Sequence, residues 1–556
     1  MASTIEQIKT AVGLQKVAED RVRTAQPLVR LWDAEWALQH VVGDDYSSQF
    51  TWQSNDTGPG QTELPFTSPA AQWIFDYQAR LDAGSGRTVG ITVDHVGARW
   101  SGIMDKFSVE QRDDGDLVLV VDWLHDYEHL KWYSVTPNPF MPDEFQFPRA
   151  WVVAGPITWV LRLSLFMALY REQNPFLTWP DDPMDFDNWA TMGLDQADWH
   201  IVVKPESFID ALASGVVWGV ATSRWTNFHD MAWPMCEDAE ISITCTRYLE
   251  GDPDPWDGFT AGDIRYGTIV VSFEDKSGIM VGTSNGGTVF DGLTRTVIEF
   301  ADDFIDSSLD VITDAADTPG DYFAVGSRYT SPLKPYVIFY EGDTSPIQTS
   351  SWVYSPSKGV QIECGGKSMP GVNEAISATI QGIGDIFGNL VQIGSLGGTI
   401  DTILAPLYSD TILAWQTFKS SNRATNTGWD RLHAYFQDSG GGKAFTIQAV
   451  LVLRAGMWAT KTMVSWKVEV SDGAPYMVGG AGTGHFFLDD RVGLVIKGDD
   501  KIHMDRCRKI DLAWGPENPP EFQITIGDDR IWQDPAQRAL GRIERVLAGM
   551  HDLGVS

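Results

Sequence analysis

Cysteine is scarce in this sequence, and its spacing indicates neither a metal centre nor a redox centre. The four cysteines among 556 residues are Cys236, Cys245, Cys364 and Cys507, and no two form a Cys-x-x-Cys pair. A structural zinc site or a dithiol redox site would use such closely spaced thiols. So few cysteines suit assembly in a reducing cytoplasm. We expect each thiol to be a small buried side chain in a hydrophobic core.

Common catalytic motifs are also absent from the sequence. There is no Walker A sequence, no His-Glu-x-x-His and no Gly-x-Ser-x-Gly. The stretch GGAGTG at 479–484 does not match Gly-x-Gly-x-x-Gly and predicts a flexible loop, while the acidic stretch at 251–258 misses the ligand order of an EF-hand. The carboxylates are too numerous for a glycosidase pair to be singled out. We therefore name no catalytic residue, no cofactor site and no metal ligand, and we expect a protein that is not an enzyme.

The sequence also lacks the features of a secretion signal or a membrane anchor. Its N-terminal residues have no basic start followed by an apolar segment, so no Sec-type signal is predicted. No apolar run reaches the roughly 18 residues of a transmembrane helix, so no ordinary membrane anchor is predicted.

Basic residues are too few to balance the acidic ones. The chain has 41 Lys and Arg against 75 Asp and Glu, which gives a formal net charge of −34. Stable nucleic-acid binding needs clustered Lys and Arg, so this balance argues against it. A negatively charged surface would nevertheless repel DNA and let it move past without binding. The plainer interpretation is that the charge keeps the protein soluble.

Apolar and aromatic residues are plentiful. Hydrophobic residues make up 43 % of the chain and aromatic residues 12 %, which is ample for packed cores. The length predicts roughly three to four domains. The 23 tryptophans are most simply explained as core or interface anchors, and stacking on sugars is the alternative.

One passage differs from the rest, because between Gly371 and Phe418 the sequence is apolar, rich in glycine and free of Lys and Arg. Its apolar side chains step by three and four residues like a coiled-coil seam, and isoleucine in a seam favours three or four strands. The seam residues are Ile376, Ile380, Ile383, Phe387 and Leu390. We predict that they form an axial plug through which copies of the chain associate, or a tip that seeks a membrane. A buried hairpin of helices is the alternative. A last helix is predicted to carry Trp415.

The remaining sequence predicts alternating strand-rich and helical parts. Residues 3–25 predict an amphipathic helix, and residues 28–130 a mostly antiparallel β unit with one helix that begins at Pro69. Other predictions are helices at 155–173, 227–239 and 289–315, a hairpin turn at Gly498, and a last helix from Pro535.

Several of these stretches together resemble a known family. They are RLWDAEW, SNDTGPGQTELPF, SPAAQWI, WSGIMDKFSVE, GPITWVLRLSLFMALYREQ, NFHDMAWPMCEDAE, GTSNGGTVFDGL and RTVIEFADDFIDSSLDVITDA. The sequence resembles the tail-hub (Tal-like baseplate hub) minor tail proteins of siphophages that infect mycobacteria and related actinobacteria. The resemblance implies an α+β, β-rich multidomain fold: a phage baseplate hub in which tail-tube-like β modules alternate with α+β modules, plus the apolar helical insertion.

The resemblance and the sequence patterns together suggest seven segments. We expect an N-terminal helix or arm, a tube-like β module, an α+β module, a second β module with a helix, the glycine-rich apolar insertion, a β-rich region and a C-terminal helix. Their ranges are 1–27, 28–174, 175–288, 289–370, 371–425, 426–533 and 534–556.

The resemblance also implies a role and partners. The expected protein is a structural virion component, a trimeric hub at the distal end of the tail, assembled in the host cytoplasm. It would close the tail tube, anchor other minor tail and tip proteins, and contact the distal tail protein and the tape-measure protein. It would open so that genome DNA passes through its lumen, with residues 375–400 available to contact the host envelope. The alternatives are a tail-associated cell-envelope hydrolase and a glycan-binding receptor protein.

Overall fold

The structure is a computed structural model, and it describes most of the first half of the chain and separate parts of the second half. The described residues are 4–112, 115–148, 150–174, 184, 196–214, 216, 218–276, 311–312, 337–342, 347–365, 415–436, 456, 460, 463–471, 476–480, 484–498, 502–516 and 518–527. Over these ranges the fold is α+β and rich in strands, which confirms the predicted class.

The first part of the chain forms a helix followed by a strand-rich unit, as predicted. Its elements are α1 (Thr4–Arg23), β1 (Leu28–Trp32), β2 (Leu38–Val42), β3 (Ser47–Gln53), β4 (Pro59–Pro65), α2 (Pro69–Phe75), α3 (Tyr77–Asp82), β5 (Gly90–His95), β6 (Ala98–Gln111) and β7 (Leu117–His125). The single helix predicted from Pro69 is two helices. Asp76 ends α2, and its side chain accepts the Ala79 N–H and so caps α3.

The next part mixes helices and strands. A 3-10 helix at Asp126–Lys131 and another at Asp143–Phe145 accompany β8 (Ser134–Val135), β9 (Trp151–Pro156), α4 (Ile157–Glu172), β10 (Ile201–Val203), α5 (Phe208–Ala213), β11 (Trp218–Ser223), β12 (Thr226–Asn227), α6 (Phe228–Ala239), β13 (Ile241–Arg247) and β14 (Ile269–Asp275). The helices predicted at 155–173 and 227–239 are therefore confirmed within two residues at each end.

The described residues of the second half are mostly strands. They form β15 (Val311–Ile312), β16 (Ile338–Tyr340), β17 (Ile347–Ser355), β18 (Gln361–Gly365), β19 (Trp415–Lys419), α7 (Ser421–Thr427), β20 (Ala434–Phe436), β21 (Met463–Ser471), β22 (Arg491–Val495), β23 (Ile502–Trp514) and β24 (Glu521–Ile526). The hairpin predicted at Gly498 is confirmed, since β22 and β23 pair antiparallel and Gly498 has a φ of 94°.

Two helix predictions are wrong where the structure can test them. Val311 and Ile312, placed in a helix by the sequence, pair antiparallel with β23. Trp415, also placed in a helix, begins β19, which pairs with β18. In both cases hydrogen bonding to a strand distant in sequence overrides a weak local helical pattern. The rest of the predicted 289–310 helix lies outside the described residues.

A large sheet joins both ends of the described chain. Among the described strands its order is β17-β21-β24-β23-β3-β4-β7-β6-β5-β1-β2, with β15 and β22 beside β23 and β16 beside β22. The central pairing is antiparallel, with Phe50 of β3 opposite Leu512 of β23. This pairing links the predicted segments 28–174 and 426–533 within one sheet. The seven segment boundaries themselves stay predictions.

The first hydrophobic core lies against this sheet and is built around buried aromatic side chains. Trp100 and Phe50 are fully buried with ring centroids 4.9 Å apart. The Trp100 indole N–H donates to the Thr51 carbonyl at 2.8 Å, and that of Trp123 donates to Thr62 Oγ1 at 3.2 Å. A buried tryptophan therefore adds apolar contact area without leaving its donor unpaired. This confirms the simpler expectation for these tryptophans.

The second core lies between α4, α6 and the strands β13 and β14. Helix α4 buries residues along one side, including Val160, Leu161 and Leu165, while Phe228 of α6 meets Phe273 of β14 edge-on at 6.0 Å. The strand β14 is flanked by β13 on one side and β10 on the other, and its residues Ile269–Phe273 are buried. A central strand covered on both faces explains why four of these five residues are apolar, and the fifth, Ser272, shares a hydrogen bond with Thr244 at 2.6 Å.

Candidate functional site

The residues predicted from the sequence to form an axial plug cannot be placed in the fold. Ile376, Ile380, Ile383, Phe387 and Leu390 all lie outside the described residues. Their association remains a prediction.

A buried ion pair joins the two cores. Arg247, at the end of β13, donates from Nη2 to Asp126 Oδ1 at 2.7 Å and from Nε to Asp126 Oδ2 at 2.9 Å. Asp126 is fully buried and also accepts the Ser101 hydroxyl from β6 at 2.5 Å. Burial raises the pKa of Asp126, but the charge and hydrogen bonds of Arg247 outweigh burial and hold that pKa below its ordinary value. The carboxylate is therefore ionised and fully paired.

Trp36 and Gly267 complete the surroundings of Arg247. The guanidinium carbon lies 3.7 Å from the centre of the Trp36 ring, and Nη1 donates to the Gly267 carbonyl at 2.6 Å. Gly267 has a φ of 94°, and a Cβ there would lie 2.6 Å from the Trp36 Cβ. The turn before β14 thus needs glycine for its backbone conformation and for this close approach.

The turn between β3 and β4 holds the edge of β13. Asn55, with a φ of 49°, donates from Nδ2 to the Ile241 carbonyl at 2.8 Å and accepts the Ile243 N–H at 2.8 Å. Asparagine tolerates the left-handed conformation that this geometry requires. Beside it, Asp489 accepts the hydroxyls of Ser54 and Ser242. Three segments far apart in sequence therefore meet here.

A second charged group lies where α6 meets β22 and β23. Arg491 Nη2 donates to Glu240 Oε2 at 2.8 Å, and Arg508 Nη1 donates to Glu237 Oε1 at 3.0 Å. Glu240 has a φ of 55° and ends α6. Burial raises the pKa of Glu240, but the charges of Arg506 and Arg491 outweigh burial and lower it overall.

We call these contacts the polar seam, defined by the Asp126–Arg247 pair, Asn55, Asp489 and the Glu240–Arg491 pair. All of these side chains except the partly buried Glu240 are buried, and the contacts hold the second core against the large sheet. Buried charge pairs of this kind are costly to break because the remaining partner is left unpaired.

Histidines lie next to the seam. His125 Nδ1 accepts the Tyr127 N–H at 3.1 Å and so caps the first 3-10 helix. Burial lowers the pKa of His125 to about 4, although the nearby Asp126 carboxylate acts in the opposite direction. Burial also lowers the pKa of His129, whose Nε2 lies 3.9 Å from Asp126 Oδ1. These side chains are neutral at pH 7.

The described residues show no arrangement for metal or thiol chemistry. Among them, no group of three or more His, Cys, Asp or Glu side chains is placed to hold a metal ion. Cys236, Cys245 and Cys507 are buried free thiols, and burial raises the pKa of each. Burial confirms the expectation for these three cysteines. In the described part of the chain no helix is both long and apolar enough to cross a membrane.

The loop between β8 and β9 presents aromatic rings to solvent. Phe140, Phe145 and Phe147 are 59 %, 71 % and 78 % exposed. The buried Arg171 of α4 holds the loop from within, because its Nη1 donates to the carbonyls of Asn138 and Met141. A contact surface of this kind, apolar outside and hydrogen-bonded inside, is typical of a protein interface.

Sequence reasoning missed the polar seam, although one signal for it was present. In β13, Ile241, Ile243, Cys245 and Arg247 alternate onto the same face of the strand. The period of two therefore directs an arginine into the core, which predicts a buried acidic partner. Nothing local identifies that partner as Asp126, which is 121 residues away in sequence.

Comparison with known proteins gives the family. The family model described as "Siphovirus ReqiPepy6 Gp37-like protein" matches residues 28–528. Two curated relatives, from Mycobacterium phages L5 and D29 and each named minor tail protein Gp28, are 30 % identical over 594 aligned positions. These cover 99 % of this chain and 98 % of each relative.

Solved structures of tail proteins also match, at low sequence identity. The tail protein from Neisseria meningitidis MC58 has 8 % identity and a TM-score of 0.39, with 92 % of this chain and 99 % of that one covered. The 43 kDa tail protein of prophage MuSo2 from Shewanella oneidensis has 8 % identity and a TM-score of 0.38, with 92 % and 98 % covered. On the match of the family model to residues 28–528, this chain belongs to the Siphovirus ReqiPepy6 Gp37-like protein family.

Proposed function

We propose that this protein is a minor tail protein of a siphophage virion that forms a trimeric hub at the distal end of the tail. In this role it closes the tail tube, anchors other tip proteins and opens when the genome is ejected. The baseplate-hub fold, with tube-like β modules and an apolar insertion at 371–425, is part of this proposal.

The observation that carries the proposal is the similarity to the mycobacteriophage minor tail proteins along nearly the whole of both chains. An alignment of this extent includes the apolar passage and both ends of the large sheet. Similarity confined to a single domain would support the proposal much less. The family is defined on siphovirus proteins, which supports a place in the tail of a virion.

Two physical features support a mechanical role. The polar seam holds the two cores against each other, which suits a ring that must keep its shape. Three copies would carry a formal charge of −102, three times the −34 of one chain. A wall with this charge repels the DNA backbone, so the genome can pass without binding.

The proposed partners follow from this place in the tail. They are two further copies of the chain, the distal tail protein, the tape-measure protein and other tip proteins. The host envelope is a further proposed contact, through residues 375–400. Assembly takes place in the host cytoplasm before the protein becomes part of the virion.

We test the hub by deleting residues 375–400. If copies of this segment meet near the tail axis, the deletion leaves tails assembled but reduces DNA delivery, measured as potassium release and genome entry per adsorbed particle. Wild-type tails at equal adsorption are the reference. Normal injection by the 375–400 deletion would refute the axial plug.

The number of copies is tested separately. Cryo-EM of intact tails, with the mass of the purified protein in solution, distinguishes three copies per tail from any other number. A density map that places Ile380, Ile383 and Phe387 inside one protomer, away from symmetry mates, would overturn the plug while leaving the family assignment unchanged.

The role proposed here is structural, without enzymatic activity. Zymography of the purified protein on peptidoglycan and on cell-envelope glycolipids tests this directly. Hydrolytic activity that co-purifies with the chain would favour a tail-associated hydrolase instead.

A further inference from the structure

We propose that helix α1 of one copy of this chain packs across the β6–β7 hairpin of a second copy. The inference rests on the part of the proposed function in which copies of the chain associate. It depends neither on their number nor on the apolar passage at 371–425. Two exposed apolar surfaces carry it, and they complement each other in secondary structure and in charge.

Helix α1 exposes an apolar stripe. Leu14, Ala18 and Val22 follow one another at intervals of four residues, so they lie on one side of the helix. All three are exposed, Leu14 by 68 % and Val22 by 42 %. A 20-residue helix is only marginally stable by itself in water, and helices in proteins gain most of their stability by burying such a stripe. The stripe therefore indicates a partner surface.

The second surface is on the hairpin formed by β6 and β7. Phe107 of β6 packs against the first core, and its ring meets that of Phe75 of α2 edge-on at 6.2 Å. Val109 lies two residues beyond Phe107 on the same face, opposite Leu119 of β7. Leu119 is fully buried, whereas Val109 and Phe75 are 39 % and 43 % exposed. The cover that α2 gives this face of the sheet thus ends at Phe75.

The exposed part of this face continues to the end of the hairpin. Leu117 is opposite Gln111, which puts it on the same face as Val109, and it is 47 % exposed. Phe75, Val109 and Leu117 thus form one apolar strip along the sheet. An apolar sheet face is normally covered by a helix or by a second sheet. The strip therefore fits an amphipathic helix such as α1.

The net charges of the two surfaces have opposite signs. Helix α1 has four basic and three acidic residues, so its net charge is +1 in a chain of −34. Residues 105–117 have five acidic and two basic residues, so their net charge is −3. Opposite charges on facing surfaces favour one pairing of surfaces over others, while burial of the apolar stripe supplies the free energy of association.

Within one copy the two surfaces are anchored at opposite ends of β6. Helix α1 ends at Arg23, five residues before Leu28, which pairs with Asp94 next to the β5–β6 turn. Val109 lies about 36 Å along β6 from that turn, whereas Leu14 lies about 14 Å along α1 from Arg23. Both surfaces therefore stay exposed in a single chain, and a second copy brings them together.

The first test locates the contact. Full-length Ala18→benzoylphenylalanine, which is photoreactive, is mixed with isotope-labelled wild type and irradiated. We expect mass spectrometry to find crosslinks from position 18 to residues 105–117 of the other copy. Asp20→benzoylphenylalanine is the matched control, because Asp20 is also exposed but lies about 160° from Ala18 around the helix. Crosslinks that are as frequent from position 20, that stay within one chain, or that join other segments would contradict the contact.

The second test measures self-association of the full-length protein by sedimentation equilibrium. Leu14→Glu and Val109→Glu each place a carboxylate in the apolar contact, so we expect each to raise the dissociation constant at least about tenfold. Leu432→Glu is the matched control, because Leu432 is 66 % exposed outside both surfaces and the change adds the same charge. It should leave the dissociation constant unchanged. Melting temperatures establish that each variant is folded.

The results separate this inference from the hub proposal. Crosslinks from position 18 to residues 105–117 in a dimer or a tetramer would retain the contact and refute a trimeric hub. A trimer without those crosslinks, in which folded Leu14→Glu associates as well as Leu432→Glu, would refute the contact and leave the hub proposal unchanged. A wild type that stays monomeric at its highest soluble concentration would also overturn the contact.

Discussion

At the scale of single residues, the described structure depends on a few charged side chains that lie where apolar ones are usual. Arg247 occupies the inward face of an apolar strand and is 3 % exposed, yet its guanidinium contacts a carboxylate, a carbonyl and an indole ring. Such a residue specifies one arrangement of the two cores, because no other position offers it the same partners.

Replacing Arg247 with Met should destabilise the protein by about 3–5 kcal/mol, since Asp126 is then left buried and unpaired. The double variant Asp126→Asn with Arg247→Met should recover part of this loss. Urea unfolding followed by intrinsic fluorescence gives the free energies of unfolding. The control is Arg265→Met, which breaks the exposed pair with Glu35 at 3.3 Å and should cost no more than about 1 kcal/mol. Equal losses for Arg247→Met and Arg265→Met would contradict the role assigned to the buried pair.

The protein should lose stability in mild acid, and His125 should contribute to the loss. Its pKa is about 4 when folded against 6.5 for an unperturbed histidine, so the unfolded chain binds more protons between these values. The contribution of His125 is therefore constant above pH 6.5 and falls as the pH decreases from 6.5 to 4, by at most about 3 kcal/mol. Melting temperatures from pH 4 to 8 measure this slope.

His125→Asn keeps an acceptor for the Tyr127 N–H and removes the titrating ring. Its melting temperature should therefore fall less steeply than that of the wild type between pH 6.5 and 4. The control is His433→Asn, a change at an exposed histidine. An unchanged slope in His125→Asn would show that other groups account for the acid sensitivity.

At the scale of elements, Gly267 shows how a turn can depend on one missing Cβ. Gly267→Ala combines a left-handed φ with a 2.6 Å approach to Trp36, whereas Gly262→Ala has a φ of 103° but open space around its new methyl group. Both variants should lose about 1–2 kcal/mol to backbone strain. Gly267→Ala should lose about 1–3 kcal/mol more to overpacking. The difference between the two variants in the free energy of unfolding, measured with urea, gives the packing contribution. Equal losses of stability in the two variants would contradict that contribution.

The sequence predicts helices and strands well where the local pattern favours the same conformation as the tertiary contacts do. Residues 117–124 predict a strand largely buried on both faces, and they form β7 between β4 and β6; Leu119, Val121 and Trp123 are buried on one face, whereas Val120, Asp122 and Leu124 on the other are only partly buried. Ser68 before Pro69 predicts a helix start, and Ser68 accepts the Ala71 N–H. Val311–Ile312 could not be predicted in the same way, because its strand conformation comes from β23, about 190 residues later. The same holds for the Asp126–Arg247 pair, which only the folded chain brings together.

At the scale of the whole molecule, the large acidic excess should oppose association between copies. If the protein forms the proposed trimer, its stability should increase with ionic strength, because salt screens repulsion between like charges. Sedimentation velocity at 50 and 500 mM NaCl should show a larger trimer fraction at the higher concentration. Sucrose at matched osmolality is the control and should not reproduce the effect of screening. Dissociation of the trimer by salt would show that ion pairs between copies dominate instead.

The position of β3 in the sheet also constrains how the chain is made. Thr51 bonds Asp511 across the β3–β23 pairing, a separation of 460 residues. At roughly 5–20 residues per second, a ribosome would need on the order of 20–90 seconds to deliver the second strand after the first. Throughout that interval β3 lacks its partner strand β23, so one edge of the sheet has unpaired backbone groups. Completion of this sheet is thus a late event in biosynthesis, and slowing translation should prolong the time during which host chaperones can bind the unpaired strand.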